Sequence, residues 1–94
     1  MKALEIIHLR LAGDHSQILA DLIRKTAYAE SETVEFRIYR HTKLQTDLVV
    51  HLHRNVAEGS SQASDVGIRM ASLLRGYGMV EHSVWVVDIE SGDE

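Results

Sequence analysis

The chain has 94 residues, of which 45% are hydrophobic and 26% charged, a composition typical of one folded domain rather than a disordered segment. It contains no cysteine, which excludes disulfides, thiolate metal sites and cysteine nucleophiles. The formal net charge of −4 argues against a nucleic-acid-binding surface. If all six histidines were protonated, the ten basic and fourteen acidic residues would leave a net charge of +2. Acidification could therefore reverse the sign of the net charge.

No apolar run approaches the roughly 18 residues of a membrane span. The apolar start of the chain is interrupted by Glu5, His8 and Arg10, which a secretory signal would not carry. We therefore expect residues 1–94 to form one cytoplasmic domain with no nucleic-acid or membrane partner.

The first predicted elements are a strand over residues 3–11 and a helix over residues 14–29. The strand alternates with period two, with Ile7, Leu9 and Leu11 on its apolar face. Its other, mixed face carries Leu4, Ile6, His8 and Arg10. Asp14 is a suitable N-cap for the helix, whose apolar stripe consists of Ile18, Leu19, Leu22 and Ile23.

Residues 34–41 and 47–53 are predicted to form two strands joined as a hairpin. Their apolar faces consist of Val34, Phe36, Ile38, Leu48, Val50 and Leu52. An antiparallel register that aligns these faces, with a turn near Leu44, places Arg37 opposite His51 and Glu35 opposite His53.

A second helix is predicted after residue 60, with Ser60 or Ser61 as its N-cap and Gly76 and Gly78 at its end. Its apolar stripe consists of Ala63, Val66, Met70, Leu73, Leu74 and Tyr77. Residues 80–89 are predicted to form the last strand. Because its centre, residues 84–87, is apolar on both faces, we expect both of those faces to be covered.

The element order βαββαβ predicts an α+β, ferredoxin-like fold, with a four-stranded antiparallel sheet and both helices on one face. The opposite sheet face would be too apolar for plain solvated sheet and too charged for an ordinary core. We therefore expect a homodimer that packs sheet to sheet, which would also compensate for the small core of a short chain.

The predicted order and the two-sided sheet resemble the dimeric α/β-barrel superfamily, which includes small antibiotic-biosynthesis-monooxygenase-like proteins. The local similarity runs from Asp47-Leu-Val-Val-His-Leu-His-Arg through the second helix to Gly78-Met-Val-Glu-His-Ser-Val-Trp-Val-Val-Asp. This resemblance implies a dimeric barrel and, for an enzyme, cofactor-free oxygenation of small aromatic or quinol-like substrates.

The histidines and arginines of the mixed sheet face are the candidate functional residues. His8, His51 and His53 could transfer protons near neutral pH, while Arg10 or Arg37 could bind a carboxylate. Tyr39 could hydrogen-bond a ligand oxygen. Trp85 could line the pocket, but a core position is the favoured interpretation of this tryptophan. The three histidines could also ligate zinc, but the nearby arginines oppose a cation, so no metal and no cofactor are expected.

Three functions remain open from the sequence. The leading hypothesis is a homodimer that binds a small anionic or aromatic molecule on the sheet face. The second is a cofactor-free monooxygenase-like enzyme or isomerase. The third is a regulatory module resembling ACT-type domains, whose ligand site would lie after the first strand, at residues 13–15. Asp14 is otherwise explained as an N-cap, and residues 75–78 as a helix C-terminus rather than a phosphate loop.

Overall fold

Four strands and two helices follow one another in the computed structural model, which describes residues 1–11, 16–29, 35–44, 46–57 and 62–89. In chain order the elements are β1 (Lys2–Leu11), α1 (Ser16–Ala29), β2 (Glu35–Arg40), β3 (Asp47–Asn55), α2 (Asp65–Leu74) and β4 (Gly78–Val86). The strands form one sheet in the order β2-β3-β1-β4, and every neighbouring pair is antiparallel. The predicted α+β ferredoxin-like architecture is confirmed. Within the described ranges, neither helix is long and apolar enough to cross a membrane.

The hairpin between β2 and β3 has the predicted register. Arg37 lies opposite His51, and Glu35 lies opposite His53. The period-two alternation of both strands specifies the parity, because a shift by one residue would turn charged side chains toward the core. The turn near Leu44, where the Asp47 N–H donates to the Leu44 oxygen, specifies the register within that parity.

The core lies between the sheet and the two helices. From the strands it takes residues that include Ile7, Leu9, Leu48, Val50 and Leu52, all essentially without solvent exposure. The helices contribute Leu19, Ile23, Val66, Met70, Ala71 and Leu74. Most of the two predicted apolar stripes is therefore confirmed, with Leu22, Phe36, Ile38 and Tyr77 packed at the periphery. Leu73 is an exception, since it is 43% exposed, and the side chain of Ile18 lies outside the described residues.

The second helix begins later than predicted. Its N-cap is Ser64, whose hydroxyl accepts a hydrogen bond of 3.0 Å from the backbone N–H of Gly67. Ser60 and Ser61 lie outside the described residues, and Ala63 precedes the helix. A tertiary contact favours Ser64 as the N-cap, since its backbone N–H also donates to the carboxylate of Glu5 on β1.

The last strand is shifted toward the N-terminus and is less covered than predicted. It begins at Gly78 and ends at Val86. Trp85 is 58% exposed, Val86 45% and Val87 37%. The expectation that residues 84–87 are covered on both faces is wrong for the single chain, because the two helices cover only one side of the sheet.

Gly78 marks a close approach between β4 and β1. A Cβ atom at this position would lie 2.0 Å from the backbone oxygen of Arg10, a distance that no side chain can occupy. Gly76, two residues earlier, has no such neighbour, since its nearest atom would be the Leu73 oxygen at 3.5 Å. The chain can therefore turn from α2 directly into a strand paired with β1 only with glycine at position 78.

We expect Gly78→Ala to destabilise the fold by about 2 kcal/mol, within the range measured for overpacked sites. For a domain of this size that loss corresponds to a fall in Tm of roughly 10 °C. Gly76→Ala is the matched control and should change Tm little. Thermal unfolding followed by circular dichroism compares the two, and equal Tm values for both variants would contradict the proposed close approach.

Candidate functional site

The sheet face turned away from the helices, here called the open face, is organised in four rows that run across the strands. The first row holds Glu35, His53, Leu4 and Trp85; the second Arg37, His51, Ile6 and Ser83; the third Tyr39, Val49, His8 and Glu81; and the fourth Asp47, Arg10 and Met79. Each of the predicted site residues therefore lies on this face. Trp85 also lies there and is 58% exposed, so the core position that the sequence favoured is wrong for the single chain.

His51, in the second row, has an aromatic neighbour on each side. Its ring centroid lies 4.7 Å from that of Tyr39 and 6.1 Å from that of His53. Burial lowers the pKa of His51 below its ordinary value of 6.5, and the charge of the neighbouring His53 lowers this pKa further. The neutral imidazole is therefore favoured at neutral pH, and a neutral imidazole can accept a proton.

Arg37 lies beside this imidazole and has two partners of its own. A hydrogen bond with the Tyr39 hydroxyl raises the pKa of Arg37, and the charge of Glu35 adds to the effect. The guanidinium Nη2 lies 3.4 Å from Glu35 Oε2, and both side chains are exposed. An ion pair this exposed holds Arg37 only weakly, so a carboxylate ligand could replace Glu35 at little cost.

His53 and Trp85 occupy one end of the open face. The Nε2 atom of His53 is buried and has no hydrogen-bond partner among the described residues. The Trp85 indole N–H donates to the Ser83 hydroxyl at 2.8 Å, which fixes the ring while leaving most of it exposed. A shallow apolar cavity of about 280 Å³ lies between these two side chains, and Leu4 and Val86 also line it.

His8 and Arg10 lie at the other end and share one acid. His8 Nε2 is 3.2 Å from Asp47 Oδ2, and Arg10 Nε is 3.9 Å from the same oxygen. A second cavity, of about 250 Å³, opens between His8, Tyr39 and Val49. Sequence reasoning did not assign a role to Asp47, although its position opposite Arg10 in an antiparallel pair would have indicated one.

The predicted residues thus form two groups rather than one. Arg10 lies two rows from Arg37, which is four residues or roughly 13 Å along a strand. The two arginines therefore do not converge on the same carboxylate. In the described part of the chain, no three side chains of metal-ligating type come together to hold a metal ion, so the zinc alternative has no supporting geometry there.

A second polar cluster, absent from the sequence-based interpretation, lies on the helix side of the sheet. Glu5 has no solvent exposure, and its Oε2 lies 2.7 Å from Nε2 of His82 on β4. Its Oε1 lies 3.1 Å from Nε of Arg54 and accepts a hydrogen bond of 3.1 Å from the backbone N–H of Ser64. The alternation that buries Ile7 and Leu9 also points Glu5 inward, and this was the available signal.

Helix α2 comes close to this buried carboxylate at one position. A Cβ atom on Gly67 would lie 1.9 Å from Oε2 of Glu5. The glycine therefore lets the first turn of the helix rest on the carboxylate, at an end where the helix dipole favours negative charge.

Comparisons with known proteins agree with the fold. The structure of SnoaB, a cofactor-independent oxygenase from Streptomyces nogalater, superposes with a TM-score of 0.69 at 11% sequence identity, covering 98% of both chains. A point mutant of SnoaB gives the same TM-score at 12% identity. Rv0793 from Mycobacterium tuberculosis matches with a TM-score of 0.68 at 12% identity, covering 98% of this chain and all of that one. No family model and no curated protein matches the sequence.

These superpositions confirm, at the level of the fold, the resemblance to antibiotic-biosynthesis-monooxygenase-like proteins that the sequence indicated. At sequence identities this low, the roles of residues in those proteins cannot be assigned to residues of this chain. The chemistry of the open face therefore has to be argued from its own side chains.

NMR titration of the histidine ring protons should give His51 an apparent pKa below 6.5. His53→Gln should raise that pKa in part, because it removes the smaller, Coulombic cause and leaves burial in place. His41→Gln, in the exposed hairpin loop, is the control and should leave the His51 pKa unchanged.

The lowered pKa also affects stability in a defined direction. Between its folded and unfolded pKa values His51 takes up a proton on unfolding, so its contribution is complete above about pH 6.5 and is lost as the pH falls through the folded-state pKa. His51→Gln should therefore lose less stability than the wild type on acidification. Equal losses in both proteins, together with an unshifted pKa, would contradict the assigned environment.

Proposed function

We propose that the protein is a homodimer that binds a small anionic or aromatic molecule on its open face. The observation that carries the proposal is the arrangement of the second row, in which His51 lies between Arg37 and the apolar Ile6. The lowered pKa of His51 favours its neutral form. An apolar wall with a few convergent polar groups is what small-molecule sites provide.

The case for a homodimer rests on what the single chain leaves exposed. Leu4, Ile6 and Val49 are only partly covered, and Trp85 and Met79 are largely exposed, all on the same sheet face. The polar side chains of this face are interspersed with the apolar ones and do not cover them, so the apolar ones remain in contact with solvent. A second copy packed sheet to sheet would bury the apolar part and turn the rest into a chamber.

A substitution at the centre of the open face tests the dimer. Wild-type protein at micromolar concentration should sediment with twice the mass of the single chain, and Ile6→Asp should sediment as a monomer, because it places an unpaired carboxylate in the interface. Ile68→Asp, at an exposed apolar position on α2, is the matched control and should remain dimeric. A monomeric wild type would refute the proposed dimer.

Trp85 offers a direct measure of ligand binding, since it is the only tryptophan in the chain. The indole N–H resonance should shift on titration with hydroxynaphthoate, and Arg37→Ala or His51→Ala should weaken binding about tenfold, or ~1.4 kcal/mol. Arg24→Ala, on α1, should bind like the wild type. Loss of binding on replacing His15 instead, with Arg37→Ala unchanged, would favour the ACT-like alternative, whose residues 13–15 lie outside the described part of the chain.

A second candidate function, cofactor-free oxygenation, is favoured by the neutral state of His51 and by the fold shared with the oxygenase SnoaB. A neutral imidazole could remove a proton from an activated CH₂ group of an aromatic substrate. The carbanion would add dioxygen and a proton to give a hydroperoxide, and loss of water would leave a carbonyl. His51 or His53 would serve as the base and Arg37 would stabilise the developing oxyanion.

Oxygen uptake tests this second function. With anthrone, an aromatic ketone that carries such a CH₂ group, as substrate, the wild type should consume dioxygen faster than the protein-free background, and His51→Gln should lower the excess rate by roughly 10²-fold, as for loss of a general base. His41→Gln should retain the wild-type rate. Ligand binding without oxygen uptake would leave the binding function standing and remove the oxygenase.

A further inference from the structure

The cavity of about 250 Å³ at the end of the open face where β1 ends and β3 begins is here called the His8 cavity. Tyr39 and Val49 give it aromatic and aliphatic surface, while His8 and Asp47 bring an imidazole and a carboxylate. The oxygenation proposed above takes its base from another part of the open face. This imidazole and its carboxylate partner therefore have no role in it so far.

Asp47 determines which nitrogen of His8 carries hydrogen. His8 Nε2 lies 3.2 Å from Asp47 Oδ2, and the two side chains are only 30% and 15% exposed. A carboxylate can only accept a hydrogen bond, so Nε2 has to be the donor. In the neutral imidazole the second nitrogen, Nδ1, then carries the lone pair and is the acceptor that His8 has left.

The other polar side chains that line the cavity are engaged within the fold. His41 Nδ1 accepts the backbone N–H groups of Lys43 and Leu44, both at 3.0 Å, and thereby holds the hairpin loop. Arg40 already has an interaction within the structure, so no ligand has to satisfy it. The imidazole of His8 is therefore the group of this cavity that is best placed to recognise a ligand.

The acceptor character of Nδ1 determines which ligand group fits. A carboxylate has no hydrogen to donate, and it would be repelled by Asp47 and by Glu81, which lies opposite His8 on β4. Arg10, whose Nε lies 3.9 Å from Asp47, offsets only part of this repulsion. A neutral hydroxyl group can donate its hydrogen to Nδ1 without bringing a second negative charge. This end of the face therefore favours a hydroxyl group, whereas Arg37 favours a carboxylate.

Tyr39 connects the His8 cavity to His51. Its ring lines the cavity, and its centroid lies 4.7 Å from that of His51. His8 and His51 lie on adjacent strands two residues out of register, so their Cα atoms are roughly 8 Å apart. One fused aromatic ring packed against Tyr39 and Val49 could therefore contact both imidazoles.

We infer that His8 and Asp47 form a subsite for the hydroxyl group of a neutral aromatic molecule. His8 Nδ1 accepts the hydroxyl hydrogen, and Tyr39 and Val49 pack against the ring. Asp47 is a positioning residue, because it fixes the tautomer that makes Nδ1 an acceptor. This inference rests on the proposed small-molecule function and names the ligand group that is recognised at this end of the open face.

Calorimetric titration with naphthol and with methoxynaphthalene tests the subsite, because the two probes share a ring and only naphthol can donate a hydrogen bond. At pH 8, where a free histidine side chain is neutral, the wild type should bind naphthol about tenfold more tightly, or ~1.4 kcal/mol. His8→Phe should remove most of that preference. Asp21→Asn, at an exposed acid of α1, is the matched control and should preserve it.

The chemical shifts of the His8 ring nitrogens, measured by NMR, test the role of Asp47. The wild type should show the Nε2–H tautomer, and naphthol should shift the Nδ1 resonance. In Asp47→Asn the amide can donate to Nε2, so the Nδ1–H tautomer should appear and the preference for naphthol should fall. If Asp47 had only a structural role, the variant would lose stability without a change of tautomer, which would contradict the positioning role.

The outcomes separate this subsite from the proposed function. Equal affinity for naphthol and methoxynaphthalene in the wild type, or a preference that persists in His8→Phe, would overturn the subsite. The binding function would still stand if hydroxynaphthoate shifted the Trp85 resonance. No binding of any of the three probes would overturn both. The wild-type measurements need no variant, so they test the subsite even if His8→Phe fails to fold.

Discussion

The carboxylate of Glu5, fully enclosed between the sheet and α2, is the constraint on which the rest of the structure depends. It pairs with His82 of β4 and Arg54 of β3 and accepts the backbone N–H of Ser64, so one side chain joins β1, β3, β4 and the start of α2. A buried charge is tolerated only when it is paired and hydrogen-bonded, and removing one partner of such a pair typically costs about 3–5 kcal/mol. The cluster therefore favours a single arrangement of these four elements over alternatives that would leave the charge unpaired.

The composition of the open face follows from this cluster through the alternation of strands. Because Glu5 points inward, Leu4 and Ile6 point outward; because Arg54 points inward, His53 points outward. The same holds for β4, where inward-pointing His82 places Ser83 on the open face, in the same row as His51. A polar core cluster with no place in the proposed function thus helps to determine which histidines lie on the open face.

Alternation and helical periodicity in the sequence predicted the order of strands and helices and which residues share a face of each strand. The division of β1 into two faces follows from parity alone, and the pairings of Arg37 with His51 and of Glu35 with His53 follow from parity together with a turn near Leu44. The identity of the N-cap did not, because several serines precede α2 and the choice of Ser64 depends on Glu5, far away in the sequence. Likewise, the pair of Glu5 and His82 spans 77 residues, and no local pattern indicates such a contact.

Trp85 shows a different limit of sequence reasoning. Residues 84–87 are apolar on both sides, so their pattern could not indicate which side the helices cover. The pairing of Leu4 with Trp85 settles this, since it places the indole on the open face. The expectation of full coverage then applies only to an assembly in which a second copy covers the remaining side.

A fold shared with SnoaB and Rv0793 at about 12% identity supports many chemistries, so the function of this chain depends on its own open face. Burial is the main cause of the lowered pKa of His51. In the proposed dimer the second copy would remove more water from this imidazole and lower its pKa further. Proton binding and dimer formation would then oppose each other reciprocally, as linkage requires. A closed chamber would therefore contain the neutral base that the proposed oxygenation needs, and its closure would help to keep that base neutral.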